Sequence, residues 1–438
     1  MKLFDLSLTL SGFPIKEAKA QMQKMLSIKA ADYENFIQEK KAEIVQFHIK
    51  NNSFYRSLCG NKTISNWNDL PVLTKADLQQ PLAKRLSAGY SEKNSFINKT
   101  SGSSGTPFVF AKDKRGHAMT WANIIDYFAQ HDIDFNHDFQ ARFYGIPKDF
   151  LGNTKERLKD VLSNRYRFDV FDLSDAKMEG FLKKFQQEKF TYINGYTSSI
   201  VLFAKFLQQR SIILKDICPT IKACFVTSEM LFPSDRILLE NQLGVPIINE
   251  YGAAELGIIA FQNSQGEWQV NSETLFVEIL DENNQPIPYG KEGKIVVTSL
   301  YNKAHPFIRY ELGDIGILDE KSTFKNPILK KLIGRTNDFA VLPSGKKAPG
   351  LTFYYVTKSI IEDNGLVKEF LIKQTKTDTF EIEYVSEKPL DTLQIQKIEE
   401  AIAKYLEPNL TVVFSRKPFL QRSKSGKLKQ FVSQINKV

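Results

Sequence analysis

The sequence predicts an α/β protein. A large N-terminal domain carries mostly parallel sheets with helices and a small antiparallel β subdomain, and a small, mobile α+β lid follows it. Three observations carry that expectation. Strand-then-helix units recur between residues 139 and 255, the pattern that builds parallel sheets. From Trp268 to about Leu318 the texture changes to short strands separated by turn residues such as Asp281, Asn283 and Asn284. At 438 residues the chain also exceeds the size at which one core keeps growing. We place the boundary at a hinge, giving domains 1–334 and 335–438.

The elements follow in order. Residues 16–58 hold apolar positions at helical spacing (Met22, Met25, Leu26, Phe36, Ile44, Val45, Phe47) with Lys and Glu between them, which predicts amphipathic helices around a core. Thr74 precedes Asp77 by three residues and predicts a capped helix start. Next comes a cluster of small residues, Thr100, Ser101, Gly102, Ser103, Ser104, Gly105 and Thr106. The glycines remove Cβ obstruction and the hydroxyls add donors, so the loop can wrap its N–H groups around phosphate oxygens or serve as a flexible linker. Pro107 and the apolar run Phe108–Ala111 favour the cradle, because a linker rarely feeds a buried hairpin. No Gly-Lys-Ser/Thr follows, which excludes the common nucleotide loop of that kind.

A helix is expected from about Gly116 to Gln130, then a strand over 139–146 ending in a turn at Tyr144 and Gly145. Ligands collect beyond strand ends in open α/β sheets, so Phe143 and Tyr144 either line a pocket or fill the core. Residues 190–200 repeat the pattern, with a turn at Gly195 and a helix capped by Thr197 or Ser198. Residues 221–229 repeat it again, before a helix containing Leu238, Leu239 and Leu243, and residues 245–255 follow. Gly334, Arg335 and the Pro343–Gly350 stretch look like the hinge, and residues 351–438 read helix, strand, strand, helix, strand, tail.

A hydrophobic fraction of 42% with 12% aromatic residues is ample for burial and excludes a disordered chain. The net charge of +9 favours anionic partners without choosing among them. Its spread along the chain argues for a solvated surface, so no nucleic-acid partner is expected. Cys59, Cys218 and Cys224 form neither a metal pair nor a disulfide framework, and the five histidines lack zinc-ligand spacing. No signal peptide and no membrane span is read, so a cytoplasmic protein is expected.

Five stretches resemble the adenylate-forming superfamily, in the branch of phenylacetate–coenzyme A ligases and CapK-like proteins. They are Thr100–Pro107, Asn249–Glu255, Arg309–Asp314, Ile333–Asp338 and Arg422–Lys427, in that order across most of the chain. Softer features point to the branch: Asn52–Arg56, Leu70–Lys75 and Pro306–Tyr310.

The resemblance implies an acid–thiol ligase that joins a carboxylic acid to the α-phosphate of ATP and passes the acyl group to a thiol, most simply coenzyme A. Carrier-protein pantetheine or an amine is an alternative acceptor; adenylyl transfer to a small molecule and a non-catalytic nucleotide-binding homologue are rival readings. By resemblance, the loop from Thr100 to Thr106 would hold the β- and γ-phosphates, and Glu255 would hold Mg²⁺ against them. Tyr251 and Gly252, within Asn249–Glu255 beside Asn249 and Glu250, would form an adenine wall with Ser228 and Glu229. Asp314 would accept hydrogen bonds from the ribose hydroxyls, Arg335 would reach the ribose or phosphate, and Lys427 would bridge the substrate carboxylate and the α-phosphate. Phe143, Tyr144, Tyr196 and Ala253 are candidates for the acyl pocket by position. The chain departs from the pattern at Thr106 and Phe108, where relatives often carry a lysine, and at Asn337, where a hinge Asp is usual. Some relatives hold zinc through Cys and His after the Tyr-Gly motif; residues 256–275 contain neither, so no zinc is expected.

Overall fold

The structure, a computed structural model, describes residues 3–60, 66–100, 108–146, 150–335, 339–349, 367–422, 428 and 431–435. Helices α1 (Leu3–Leu10), α2 (Ile15–Leu26), α3 (Ala30–Asn51) and α4 (Ser53–Cys59) open the chain. Of the apolar positions read from the sequence, Met22 and Met25 of α2 and Ile44 and Val45 of α3 are buried, whereas Leu26, Phe36 and Phe47 are half-buried; Ile37, not singled out, is also buried. Asn52 breaks α3 from α4, its side-chain oxygen accepting the Tyr55 amide at 2.8 Å.

The Thr74 amide and hydroxyl both donate to the Asp77 carboxylate, at 2.8 and 2.7 Å. The expected helix is nonetheless cut to a single 3-10 turn, Asp77–Gln79. Pro81 disfavours helical backbone at the residue before it, and helix restarts only as the short α5 (Leu82–Arg85). Strands β1 (Ser95–Lys99) and β2 (Val109–Asp113) form an antiparallel hairpin on either side of the Ser/Gly loop. Asp113 then caps α6 (Lys114–Ala129), its carboxylate accepting the Gly116 amide at 2.9 Å.

The middle of the chain runs β3 (Gln140–Phe143), α7 (Phe150–Leu162), β4 (Arg165–Phe168), α8 (Asp175–Gln187), β5 (Tyr192–Tyr196), α9 (Thr197–Gln209), α10 (Leu214–Ile217), β6 (Ala223–Thr227) and α11 (Pro233–Leu243). It continues through β7 (Ile247–Ala253), β8 (Gly257–Gln262) and β9 (Trp268–Val270). These strands make one seven-stranded sheet in the order β4-β3-β5-β6-β7-β8-β9. The first five are parallel; β8 and β9 are antiparallel. Trp268 therefore closes the edge of this sheet and does not open the antiparallel subdomain, as the sequence had suggested. Strand β4, with charged Arg165 and Arg167, went unread for want of an apolar run.

Alternate strand residues face opposite ways, and each face has its own core. Ile193, Cys224 and Val226 pack with α8, α9 and α11; Tyr192, Phe225 and Ile248 pack with α2 and α6. Gly195 was expected to turn the chain, yet it lies inside β5 because a Cβ there would come within 2.5 Å of Phe143. The adjoining strand passes too closely for any side chain.

A second, antiparallel sheet, β10 (Leu275–Leu280), β11 (Glu292–Ser299), β12 (Tyr310–Leu318) and β13 (Leu329–Arg335), stands in sequence order. A short hairpin, β14 (Phe339–Val341) and β15 (Lys347–Pro349), follows. The remaining elements are β16 (Val367–Lys376), β17 (Thr379–Ser386), α12 (Thr392–Tyr405), β18 (Thr411–Arg416) and β19 (Phe431–Ser433), with strand order β18-β17-β16-β19. They share a core of their own, including Ala340, Leu342, Ile372, Phe380, Ile398 and Phe431. The segment expected as a tail is thus partly a strand, because Phe431 fills this core while β19 pairs in parallel with β16. The first helix expected beyond residue 351 lies outside the described residues.

Candidate active site

In register, Tyr196 stands beside Thr227 and Thr227 beside Glu250, so the C-terminal ends of β5, β6 and β7 form one rim. That rim is where open parallel sheets bind ligands. At its centre Ser228 adopts a left-handed backbone with φ of 71°. A non-glycine residue there is held at a cost by its surroundings.

Glu229 shows what holds it. One carboxylate oxygen accepts the Ser198 amide at 2.7 Å, and the backbone carbonyl accepts the Thr197 hydroxyl at 3.2 Å. The sequence predicted that Thr197 or Ser198 would cap α9; instead Tyr196 occupies the cap position without capping the helix through its side chain, and Glu229 caps the helix from another element. Burial raises the Glu229 carboxyl above its usual range, against the two Ser198 bonds, the Leu428 amide and Arg422.

Strand β7 and the β7–β8 turn meet β12 at one point each. The Tyr251 hydroxyl donates to the Asp314 carboxylate at 2.7 Å, and the Tyr310 hydroxyl donates to the Glu255 carboxylate at 3.0 Å. Tyr310, Leu312 and Asp314 share the buried face of β12, so a period of two places both contacts. The Tyr251 ring also stacks on Trp268 at 6.3 Å. Gly252 is dictated by a close approach, since a Cβ would meet the Gly257 carbonyl at 2.6 Å. Across from Asp314, the Arg335 backbone is its register partner.

Thr100 closes the neck of the Ser/Gly loop: its amide donates to the Phe108 carbonyl at 3.0 Å, and its hydroxyl accepts the Phe108 amide at 3.1 Å. The Phe108 ring lies 6.4 Å from the Tyr310 ring, so the loop's base adjoins the residue that holds Glu255. Ser101, Gly102, Ser103, Ser104, Gly105, Thr106, Asn337 and Lys427 lie outside the described residues, as does the Arg335 side chain.

The pocket expectations divide. Tyr144 and Tyr196 face each other with ring centres 4.5 Å apart, and the Arg142 guanidinium sits 4.0 Å from the Tyr144 ring. Phe143 is corrected as a pocket candidate: it is fully buried and stacked on Phe168 4.9 Å away, in a core cluster that also includes Tyr196 and against which Tyr144 packs. Ala253 ends β7, partly buried against the cluster around Tyr251 and Tyr310. Asn249 is buried within β7, where its amide donates to the Gln262 side chain at 3.3 Å. The Glu250 carboxylate accepts from Asn194 at 3.2 Å, and desolvation pushes it up to about 7.

Several residues of the site were not singled out from the sequence. Tyr310 had been quoted only as a sign of the branch. Lys112 is buried on β2, its ammonium 3.3 Å from the Thr120 hydroxyl. Desolvation lowers it to about 8, with Glu255 acting in the opposite sense. Its available signal was a single charge ending the apolar run Phe108–Ala111.

Residues on both sides of the 423–427 segment reach this rim from the C-terminal unit. The Leu428 amide donates to the second Glu229 oxygen at 2.9 Å. Arg422 donates to the Ser198 hydroxyl at 3.1 Å and pairs with Glu369. The Lys205 ammonium of α9 donates to the Lys368 and Val367 carbonyls at 3.0 and 3.3 Å.

No protein-family model matches the chain. Protein CapK of Staphylococcus aureus is 26% identical over 327 residues, covering 69% of this chain and 68% of that protein. Phenylacetate-coenzyme A ligase of Aromatoleum evansii is 25% identical over 220 residues, 45% of this chain and about half (48%) of its own length. Among solved structures, 2-hydroxyisobutyryl-CoA ligase in the postadenylation state with R3-HIB-AMP superposes with a TM-score of 0.72 at 16% identity, covering 93% of this chain and 91% of that one. The same ligase in its thioesterification state, with 2-HIB-AMP and CoA, superposes at 0.59 with the same coverage.

Proposed function

Since the chain belongs to the adenylate-forming superfamily, in its CapK and phenylacetate–coenzyme A ligase branch, we propose that it activates a carboxylic acid with ATP and transfers the acyl group to coenzyme A. The observation that carries this reading is the double contact of β12 with β7 and the β7–β8 turn. One strand presents Asp314 and Tyr310, so the carboxylate for the ribose and the carboxylate at the phosphate end are held in one rigid frame.

In the first step the substrate carboxylate attacks the α-phosphorus of ATP and pyrophosphate leaves. The loop from Thr100 to Thr106 holds the β- and γ-phosphates, with its neck fixed by the Thr100–Phe108 bonds. Tyr251 and Gly252 flank the adenine, and Tyr251 orients Asp314 so that its carboxylate accepts the ribose hydroxyls. Tyr310 holds one oxygen of Glu255 and leaves its carboxylate at the phosphate end. A buried carboxylate with phosphate oxygens as co-ligands fits Mg²⁺, which would supply charge neutralisation to the phosphates when bound. Arg335 and Lys427 add cations, Lys427 against the charge that develops between carboxylate and α-phosphate.

In the second step the coenzyme A thiol attacks the acyl carbonyl and AMP leaves. Domain 335–438 acts as a lid that closes for the first step and rotates for the second. Leu428 and Arg422 docked on Glu229 and Ser198 represent the first arrangement, and the higher likeness to the postadenylation state supports it. The Tyr144–Tyr196 pair next to the rim lines the acyl pocket and suits an aryl or fatty acyl group.

The test is exchange of labelled pyrophosphate into ATP across a panel of aryl, short-chain and long-chain acids. Exchange with at least one acid, dependent on added Mg²⁺, is the expected result. Clear nucleotide binding with no exchange for any acid would return the chain to the non-catalytic reading.

A further inference from the structure

Lys112 is a buried cation that the reaction as described does not use. It is 4% exposed, and no ion pair to it occurs among the described residues; its described hydrogen bond is to the neutral Thr120 hydroxyl. An ammonium has three donors, so two find no described protein acceptor. Its surroundings place it. The strand that bears it leaves the Ser/Gly loop, and its ammonium stands 4.0 Å from the Cβ position of Gly257, two residues beyond Glu255. Gly257 itself takes a left-handed backbone, φ 93°, where a side chain would strike Thr120 at 2.6 Å. The approach of the Lys112–Thr120 pair to the β7–β8 turn therefore depends on a missing side chain.

Resting on the nucleotide-site reading above, we propose that Lys112 is a further substrate-binding residue whose ammonium donates to the terminal phosphates of ATP and to the departing pyrophosphate. A buried charge whose described hydrogen bond goes to a neutral hydroxyl, and whose attraction to the Glu255 carboxylate does not offset its burial, costs the fold free energy, and a polyphosphate oxygen supplies the acceptors it lacks. Residues 100–106 include no cation, and on this proposal the following strand adds one beside those of Arg335 and Lys427.

The experiment measures binding of adenosine, AMP, ATP and pyrophosphate to the wild type, Lys112→Met and Lys112→Arg, with and without Mg²⁺. Lys112→Met is expected to weaken ATP and pyrophosphate by about tenfold or more, the scale of a lost charge-assisted hydrogen bond. Adenosine and AMP should change less than twofold, and Lys112→Arg should recover most of the loss. The ligand-free melting temperature of Lys112→Met should not fall. A lower melting temperature with unchanged ATP affinity, or equal loss for all four ligands, overturns the proposal in favour of a structural lysine. A loss confined to Mg²⁺-containing samples overturns direct contact. If Lys112→Met does not fold, Thr120→Val decides: it frees the ammonium from its anchor, and ATP binding unchanged by it counts against the proposal. A wild type that binds no ATP would instead remove the reading on which the inference rests.

Discussion

The rim at β5, β6, β7 and β12 and the C-terminal unit that leans on it are held together by different kinds of force. Within the rim the decisive bonds, Tyr251 to Asp314 and Tyr310 to Glu255, are buried and flanked by a continuous apolar cluster. The C-terminal unit fills its own core and meets the rim through polar contacts at Glu229, Ser198 and Lys205. Apolar interiors resist partial separation because they are close-packed, whereas faces joined by hydrogen bonds can part and have the bonds replaced by water. The difference teaches that the contacts of Asp314 and Glu255 are set by core packing on folding, while those of the tail rest on hydrogen bonds that can be exchanged; on the proposed lid mechanism, the second set would be made and unmade in each cycle.

Three experiments sharpen or break that contrast. The largest effect is expected from Lys427→Ala, which should cut adenylate formation by roughly two orders of magnitude, the scale for removing a transition-state charge partner. Given a pre-formed acyl-adenylate and coenzyme A, the same variant should make thioester near the wild-type rate, with Lys424→Ala as the control for charge alone. Equal loss in both half-reactions would show that the tail does not move between them.

Gly195→Ala probes the fixed side. Its new methyl group would lie 2.5 Å from Phe143, so overpacking should cost about 2 kcal/mol of stability, seen in chemical unfolding. Both half-reactions should fall together. A variant as stable as wild type would mean that β3 and β5 can yield, and that the rim is less rigid than its packing implies.

The smallest effect belongs to Arg422→Ala. It removes the bonds to Ser198 and Glu369, and losing about 1 kcal/mol of docking should slow the first half-reaction about fivefold. The second half-reaction should be unchanged or faster, because the lid leaves the rim more readily. A slower thioester step in single-turnover assays would place Arg422 on the coenzyme A side of the cycle.

By itself the sequence determined what depends on residues close along the chain. The helical spacing of Met22, Met25, Ile44 and Val45 is the buried face of α2 and α3, and the strand-helix repeats from 139 to 255 are the parallel sheet. The order of the motifs carried the resemblance by which Glu255, Asp314 and Tyr251 were named as candidates. Only tertiary structure decided what those residues touch. Gly195 reads as a turn until Phe143 from another strand passes beside it, and Phe143 reads as either pocket or core until its stacking on Phe168 places it in the core. Ser198 reads as a helix cap until Glu229, thirty-one residues on, takes the task. Tyr310 reaches Glu255 across 55 residues, and Arg422 reaches Ser198 across 224. Such pairings follow from how separate elements pack against each other. A linear pattern carries that information for neighbours three or four residues apart on a helix, or two on a strand, and for no others.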